Sequence, residues 1–555
     1  MLLDVQPDKA FYHPRESVRL VVSLTSPIAT MVHVVACISF LSDEITRLMQ
    51  TLPLRAGEKA ATELAWTPPA VAPRGYGVDL QVLDGNGQVL ASASTAFDVL
   101  DRWTQAPRYG FLTDFVPDRA NVEQTMQWLA AYHINGLQFY DWMYRHDQLL
   151  PPTSDFDDPL GRRLSLDTVR QLIAAAEECN IAALAYAAIY AASLPFFEGH
   201  PDWALFDAEG QPISFGDDFL MIMNPAPDSP WSEHLRGQLT EALERVGFNG
   251  LHLDQYGDPK HGYDADGIPL DVAEVIPHFL DLARERAIKA RPDATVVFNC
   301  VGNWPIEEAT QSQQDFVYIE VWPPKTLYRH LHEFIVEAQA LSGGGPVVLA
   351  AYIDPGRERN VRLADAVILA SGGYHIELGE PRVMLADPYF PHYRHMSDGL
   401  ANVVRHNHDF AVRYENVLAL NTRDATSAFE GKVTIEGVCT EARHSHNKIW
   451  PIVRERNGAI TLSLINLLEL SSPKWDGELL ADPPLQEDLV VRVCAKWPVK
   501  RVWWATPDDA DPAGRVLEFR AGSEGGRPYV TFRVPSLAYW DLVVIERAVG
   551  DPTTT

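Results

Sequence analysis

The sequence predicts a multidomain α/β and β protein: a central (β/α)8 TIM barrel flanked by an N-terminal immunoglobulin-like β-sandwich and a C-terminal antiparallel β domain. Three observations predict it. Residues 1–100 alternate apolar and polar side chains with the period of two that marks half-buried strands. From residue 109 the pattern becomes strand, then helix, eight strands in all. After residue 414 strands resume without helices between them. The expected boundaries are 1–100 for the sandwich, 101–414 for the barrel and 415–555 for the C-terminal domain. A length of 555 residues suits this division, at about 150 residues per domain for the smaller units and more for a barrel.

Taken in order, the N-terminal strands are read at 18–24, 31–40 and 76–82. The last runs into Asp84-Gly-Asn-Gly87, a strong hairpin turn signal. Residues 101–108 (DRWTQAPR) read as a linker. Barrel strands are expected at 109–115, 134–142, 181–188, 250–256, 295–302, 315–322, 346–353 and 373–379. Helical patterns lie at 121–132, 166–179, 230–246, 272–290, 327–341 and 357–371. Ser165 and Asp271 supply start signals for two of these helices. No GxGxxG or GxxxxGK[ST] follows a strand, which speaks against a doubly wound nucleotide-binding sheet. C-terminal strands are read at 432–438, 459–464, 489–493, 501–505, 529–534 and 540–545. The segments 151–163 and 189–229 are long for barrel loops. The second, with Phe196, Phe197, His200, Trp203 and Phe206, either shapes a binding site or is held by its own aromatic cluster.

Composition narrows the function. Lys and Arg number 46 against 75 Asp and Glu, a formal charge of −29. A broad acidic surface opposes nucleic acid and anionic membranes as partners and leaves a neutral substrate open. No run of about 18 apolar residues is present, so a membrane-spanning helix is not expected. The five cysteines are scattered and show no zinc spacing, which suits reduced, mostly buried thiols. The chain does not open on a basic stretch followed by an apolar one, so the expectation is a cytoplasmic protein, or a secreted one with its leader removed.

Chemistry in a barrel sits where strands end at the C-terminal face. In Gly250-Leu-His-Leu-Asp-Gln-Tyr256 the leucines suit the helix-facing side, so His252 and Asp254 face the interior. In Asp315-Phe-Val-Tyr-Ile-Glu-Val-Trp322 the same alternation turns Phe316, Tyr318 and Glu320 inward. Two carboxylates thus end strands four and six. A retaining glycosidase needs two carboxyls about 5–5.5 Å apart, one as nucleophile and one as acid/base. The aromatic neighbours of Glu320 would hold it protonated, and the more polar surroundings of Asp254 suit an ionised group. The alternative on these residues alone is that one or both bind loops or arginines.

The segments RYGFLTDF (108–115), HINGLQFYDWMYRHD (133–147), GFNGLHLDQYGD (247–258), DFVYIEVWP (315–323), ASGGYHIELGE (370–380), YFPHYRHMS (389–397) and VPSLAYWDLVVIE (534–546) together resemble glycoside hydrolase family 66. That family contains endo-dextranases and cycloisomaltooligosaccharide glucanotransferases. The resemblance spans essentially the whole chain. It implies the three-domain fold read above, a retaining mechanism on α-1,6-linked glucan, Asp254 as nucleophile and Glu320 as acid/base. The expected partner is therefore a neutral α-glucan, dextran or isomaltooligosaccharide, and no cofactor is expected. The cyclising members carry a carbohydrate-binding module inserted in the barrel, and this chain shows no such insertion, which leans toward hydrolysis. The absent leader is a second departure, since most members are secreted.

Substrate contacts are expected from Asp141, Trp142 and His146 after strand two, Tyr256 after strand four, Asn299 ending strand five and Trp322 after strand six. His375 and Glu377 share one face of strand eight, where they bind sugar hydroxyls or form a buried pair. Two other classes are weighed. Metal-dependent hydrolysis has only His252-x-Asp254 in its favour and no HxH strand pair or HExxH. His330/His332 and His406/His408 fall in helical patterns, where i and i+2 diverge. A non-catalytic glycan-binding barrel would have lost a carboxylate, and both are present.

Overall fold

A computed structural model describes residues 1–548 except Arg443. The tail from 549 onward, part of the expected C-terminal domain, lies outside the described residues.

The N-terminal unit packs a three-stranded sheet (Leu2–Pro7, Val18–Thr25, Lys59–Trp66) on a four-stranded one (Asp43–Leu54, Thr30–Phe40, Arg74–Leu83, Val89–Val99). Alternation decides which side is buried: Val18, Leu20, Val22 and Leu24 meet Val32, Val34, Ala36 and Ile38, while the intervening residues are partly or fully exposed.

The barrel strands are β1 (Tyr109–Leu112), β2 (Gly136–Phe139), β3 (Ala182–Ala188), β4 (Gly250–Asp254), β5 (Thr295–Val301), β6 (Val317–Glu320), β7 (Val347–Ala350) and β8 (Tyr374–His375). All pair in parallel in chain order, and a hydrogen bond from Phe111 N–H to the Leu378 carbonyl joins the first strand to the end of the last. The helices are α1 (Val122–Ala131), α2 (Leu166–Glu178), α3 (Pro230–Glu241), α4 (Val272–Ala290), α5 (Ile306–Ala309), α6 (Tyr328–Leu341), α7 (Glu358–Ala370) and α8 (Asp398–Leu418). Strand parity separates two cores. Tyr109, Phe111, Leu184, Val297, Phe316, Tyr318, Val348 and Ile376 fill the interior. Leu137, Phe139, Leu251, Leu253, Val296, Phe298, Val317 and Ile319 meet the helices.

Segment 101–108 is not an exposed linker. Trp103 seals the bottom of the barrel, 6.1 Å from Tyr109 and 5.6 Å from Phe316 between ring centroids. Gly136 makes room for it, since a Cβ there would stand 2.3 Å from the indole. Arg108 is buried and paired with Asp98 and Glu415.

Of α8 the sequence shows only the helical spacing around His406 and His408, because a polar, histidine-rich run hides its apolar stripe. Ser397 caps its start, accepting from Leu400 N–H. The helix lies against the N-terminal sheet: Arg413 pairs with Asp79 at 2.7 Å, and Asp409 accepts from Thr95. Gly75 allows the approach, because any Cβ would collide with the Val412 carbonyl. On its other side Phe410 and Tyr414 pack on Trp540 and Trp503.

The C-terminal unit has a six-stranded sheet and a four-stranded sheet. The six-stranded one is apolar on both faces: Trp503, Leu542 and Val544 face the barrel, and Trp504, Val543 and Ile545 face the second sheet. Strand Ile449–Arg456 in this sheet was not read from the sequence. Among the described residues no helix is long and apolar enough to cross a membrane.

Candidate active site

Asp254 and Glu320 end β4 and β6 on the interior face, as their parity requires, and each is nearly buried, 9% and 7% exposed. The intervening strand β5 supplies Asn299, whose side-chain nitrogen donates to Asp254 Oδ1 at 2.8 Å and to Glu320 Oε2 at 3.0 Å. Two acceptors on the two hydrogens of one planar amide stand about 5 Å apart, the spacing of a carboxyl pair that works by nucleophile and acid/base.

Each carboxylate has donors of its own. Tyr186 Oη from β3 donates to Asp254 Oδ2 at 2.7 Å, and Gln255 N–H donates to Oδ1 at 2.8 Å. Tyr352 Oη, just past β7, donates to Glu320 Oε1 at 2.6 Å. Burial pushes Asp254 up to about 6, against the pull of the Tyr186, Asn299 and Gln255 donors. Burial, then the negative charge of Asp254, pushes Glu320 up to about 7, against Tyr352, Asn299 and Trp322. The two environments thus separate the pair in the order needed for one ionised and one protonated group. Beneath them Tyr109 stacks on His252 and Tyr318 meets the imidazole edge-on in the barrel interior, and burial holds His252 neutral, at about 3.

Around the pair the expected contacts divide. Asp141 has φ +51, and this left-handed residue ends the strand alternation of β2. Tyr140 therefore stays at the mouth, stacked 4.4 Å from Phe390 and 4.8 Å from Tyr186. Asp141 lies 3.6 Å from Arg162 and shares a small cleft with His146, Leu160 and Phe219. Burial lifts Asp141 to about 7, with Arg162 opposing and Asp158 and Asp254 adding to the rise, and burial lowers His146 to about 4. Tyr256 stacks on Phe215 at 4.5 Å beside Asp254. Trp322 stands 40% exposed on the rim, next to Glu320.

Three expected contacts fall elsewhere. Trp142 is fully buried against Phe248, its indole N–H donating to the Tyr186 carbonyl, so it is a core side chain on the helix side and not a sugar platform. Trp142→Ala should cost about 3–5 kcal/mol of stability and lower the melting temperature, with KM for glucan unchanged in the folded fraction. A raised KM at unaltered melting temperature would restore the platform reading. His375 and Glu377 face outward, because Tyr374 and Ile376 take the interior parity of the eighth strand. His375 meets Asp365 of α7 and Glu377 meets His408 of α8, so the buried-pair alternative is the one observed.

Tyr186 and Tyr352 were missed. The signal was present: the parity that turned Asp254 and Glu320 inward also turns Tyr186 inward on β3 and Tyr352 inward beyond β7. The loop aromatics divide as well. Phe196 packs on His200, Trp203 and Trp231, so the long loop is held by its own cluster, while Phe215 and Phe219 reach the mouth.

A family model described as glycosyl hydrolase family 66 matches residues 7–544. A cycloisomaltooligosaccharide glucanotransferase of Niallia circulans is 25% identical, the match covering 98% of this chain and 72% of that protein. A dextranase of Streptococcus salivarius is 22% identical over 87% of this chain and 68% of its own. The solved structure of a Paenibacillus sp. cycloisomaltooligosaccharide glucanotransferase, complexed with cycloisomaltoheptaose, superposes with a TM-score of 0.91 at 25% identity, covering 97% of this chain and 99% of that one. With a multidomain barrel, paired carboxylates at its mouth and a match across nearly its whole length, the chain belongs to glycosyl hydrolase family 66 and is an enzyme of the glycoside hydrolase type.

Proposed function

We propose that the chain is a retaining hydrolase of α-1,6-glucosidic linkages in dextran or isomaltooligosaccharides, with Asp254 as nucleophile and Glu320 as general acid/base. The observation that carries the reading is Asn299 donating to both carboxylates at once, which supports a separation too short for a water to sit between them as an inverting enzyme requires. Asp254 attacks the anomeric carbon while Glu320 gives its proton to the departing O6. The glycosidic bond breaks, a β-glucosyl ester forms, and Glu320 is left as a carboxylate. It then takes a proton from water, whose oxygen attacks the same carbon and releases Asp254. Two inversions restore the α configuration. Proton NMR in the first minutes of dextran cleavage should therefore show α reducing ends before mutarotation, and β ends would mean inversion.

Asp254 must be ionised and Glu320 protonated, so activity should rise as pH passes about 6 and fall as it passes about 7. The limbs belong to the coupled pair. Tyr352→Phe removes a donor that favours ionised Glu320, so the falling limb should move to higher pH. A pH–rate profile unchanged in that variant would detach the limb from Glu320.

The second reading is transglycosylation to cyclic products, in which the 6-hydroxyl at the non-reducing end of the bound chain replaces water at the same intermediate. The names of the two kinds of relative favour neither. The alignment with the Niallia circulans relative runs over 709 positions against the 555 residues of this chain, so that relative has segments this chain does not match. Hydrolysis is the reading taken because water needs no further segment to reach the intermediate. Mass spectrometry of dextran digests separates the two, with linear products expected here. Abundant species lighter by one water would identify the transferase.

A further inference from the structure

We propose that Asp365, His375 and Glu377 form a buried site for one divalent metal ion of the zinc class, placed between the barrel wall and its helices. His375 and Glu377 lie two residues apart on the outer face of the eighth strand, and Asp365 reaches them from α7. One ligand atom of each lies within 4.8 Å of the others. His375 Nδ1 is 3.0 Å from Asp365 Oδ1 and 3.6 Å from Glu377 Oε2. Donors bound at about 2.0–2.2 Å in a tetrahedron stand about 3.3 Å from one another, so these separations bracket the ligand spacing.

The surroundings orient the ligands. His375 Nε2–H donates to the Ala351 carbonyl at 3.0 Å, which fixes the ring and directs Nδ1 at the carboxylates, as metal-bound histidines are fixed. Glu377 Oε1 is engaged by His408 at 2.9 Å, whose other ring nitrogen donates to the Tyr132 carbonyl. Glu377 Oε2 and Asp365 Oδ2 are buried and reached by no donor, and the two carboxyls stand close enough to share a proton when no metal is bound. Both side chains are 2% exposed, and burial without a partner is unfavourable for such oxygens. Beside them is a cavity of about 20 Å³ lined by Asp365, Tyr374, His375, Glu377, His408 and Arg108, room for one water-sized occupant. Arg108 is already committed to Asp98 and Glu415. A nitrogen and two carboxylate oxygens suit zinc better than magnesium or calcium, which take oxygen alone.

The site lies on the outer face of the eighth strand, across the barrel wall from the interior face that carries Asp254 and Glu320, so the role we assign it is structural. The eighth strand has only two residues in regular pairing, and a metal would fasten it to α7 where the barrel closes.

The full chain should be produced in zinc-supplemented medium, freed of loose metal and analysed by elemental mass spectrometry. About one zinc per chain is expected, stripped by dipicolinate, with a melting temperature that falls by several degrees and recovers on zinc addition. Asp365→Asn with His375→Gln should abolish the retained zinc. Should that variant not fold, the wild-type measurement stands alone. Zinc below about 0.1 per chain with a melting temperature indifferent to zinc and dipicolinate would overturn the proposal and leave a proton shared by Asp365 and His375. Zinc retained in the folded double variant would overturn it as well.

Discussion

Asp254→Asn is expected to lower kcat on dextran by about 10³-fold or more, with the melting temperature equal to or above that of the wild type. The loss follows from the chemistry: an amide oxygen is a poor nucleophile, and no glycosyl ester can form. Stability should not suffer, because burial outweighs the Tyr186, Asn299 and Gln255 donors and drives the carboxyl up to about 6, so ionising it in place is unfavourable and a neutral isostere relieves that cost. Asp254→Gly offers the sharper test. Azide, small and anionic, can take the place of the missing carboxylate and attack the α-linked substrate once, giving a β-glucosyl azide. Residual activity above a few per cent in Asp254→Asn, or an α azide from Asp254→Gly, would remove Asp254 from the role.

Glu320→Gln is expected to lower kcat on dextran by about 10²–10⁴-fold, but by much less on an aryl isomaltoside whose phenolate departs without a proton. The contrast is the signature of a lost acid, since only the leaving group that needs protonation feels its absence. With the aryl substrate the second step becomes limiting, because water is no longer deprotonated. Azide should then speed turnover and yield an α-glucosyl azide, the opposite anomer from the nucleophile variant. Equal losses on both substrates would mean that Glu320 acts by holding structure. In that case Tyr352, bonded to it at 2.6 Å, would be expected to show the same loss when changed to phenylalanine.

Period-two alternation within single strands made most of the site legible. Leu251 and Leu253 claim the helix side, so Asp254 has one direction left, and Val317 and Ile319 do the same for Glu320. Alternation loses its meaning where a strand is too short or bent to carry it. At Asp141 a single positive φ turns the chain over, so Trp142 goes to the core although its neighbours suggest the mouth. On the eighth strand His375 and Glu377 were correctly placed on one face, yet which face depended on Tyr374 and Ile376, apolar enough for either side. The fold divided in a similar way. The barrel strands and three of the seven sandwich strands announce themselves by pattern, whereas α8 buries His408, Asp409, Arg413 and Glu415, whose partners Glu377, Thr95, Asp79 and Arg108 are distant in the chain. No local window displays those partners.

That helix also sets an order of events. A ribosome releases the chain from its N-terminus, and domains ordinarily condense as they emerge. Here the surface of the first domain around Gly75 and Asp79 stays uncovered until residues 398–418 have been made, about three quarters of the way along the chain. The barrel waits for the same segment, and the tryptophans that receive Phe410 and Tyr414 come later still, at 503 and 540. Early in synthesis the nascent protein therefore carries an unfinished face for several hundred residues, and interrupting translation before α8 should leave a fragment that aggregates even though its first domain contains every strand of its own fold.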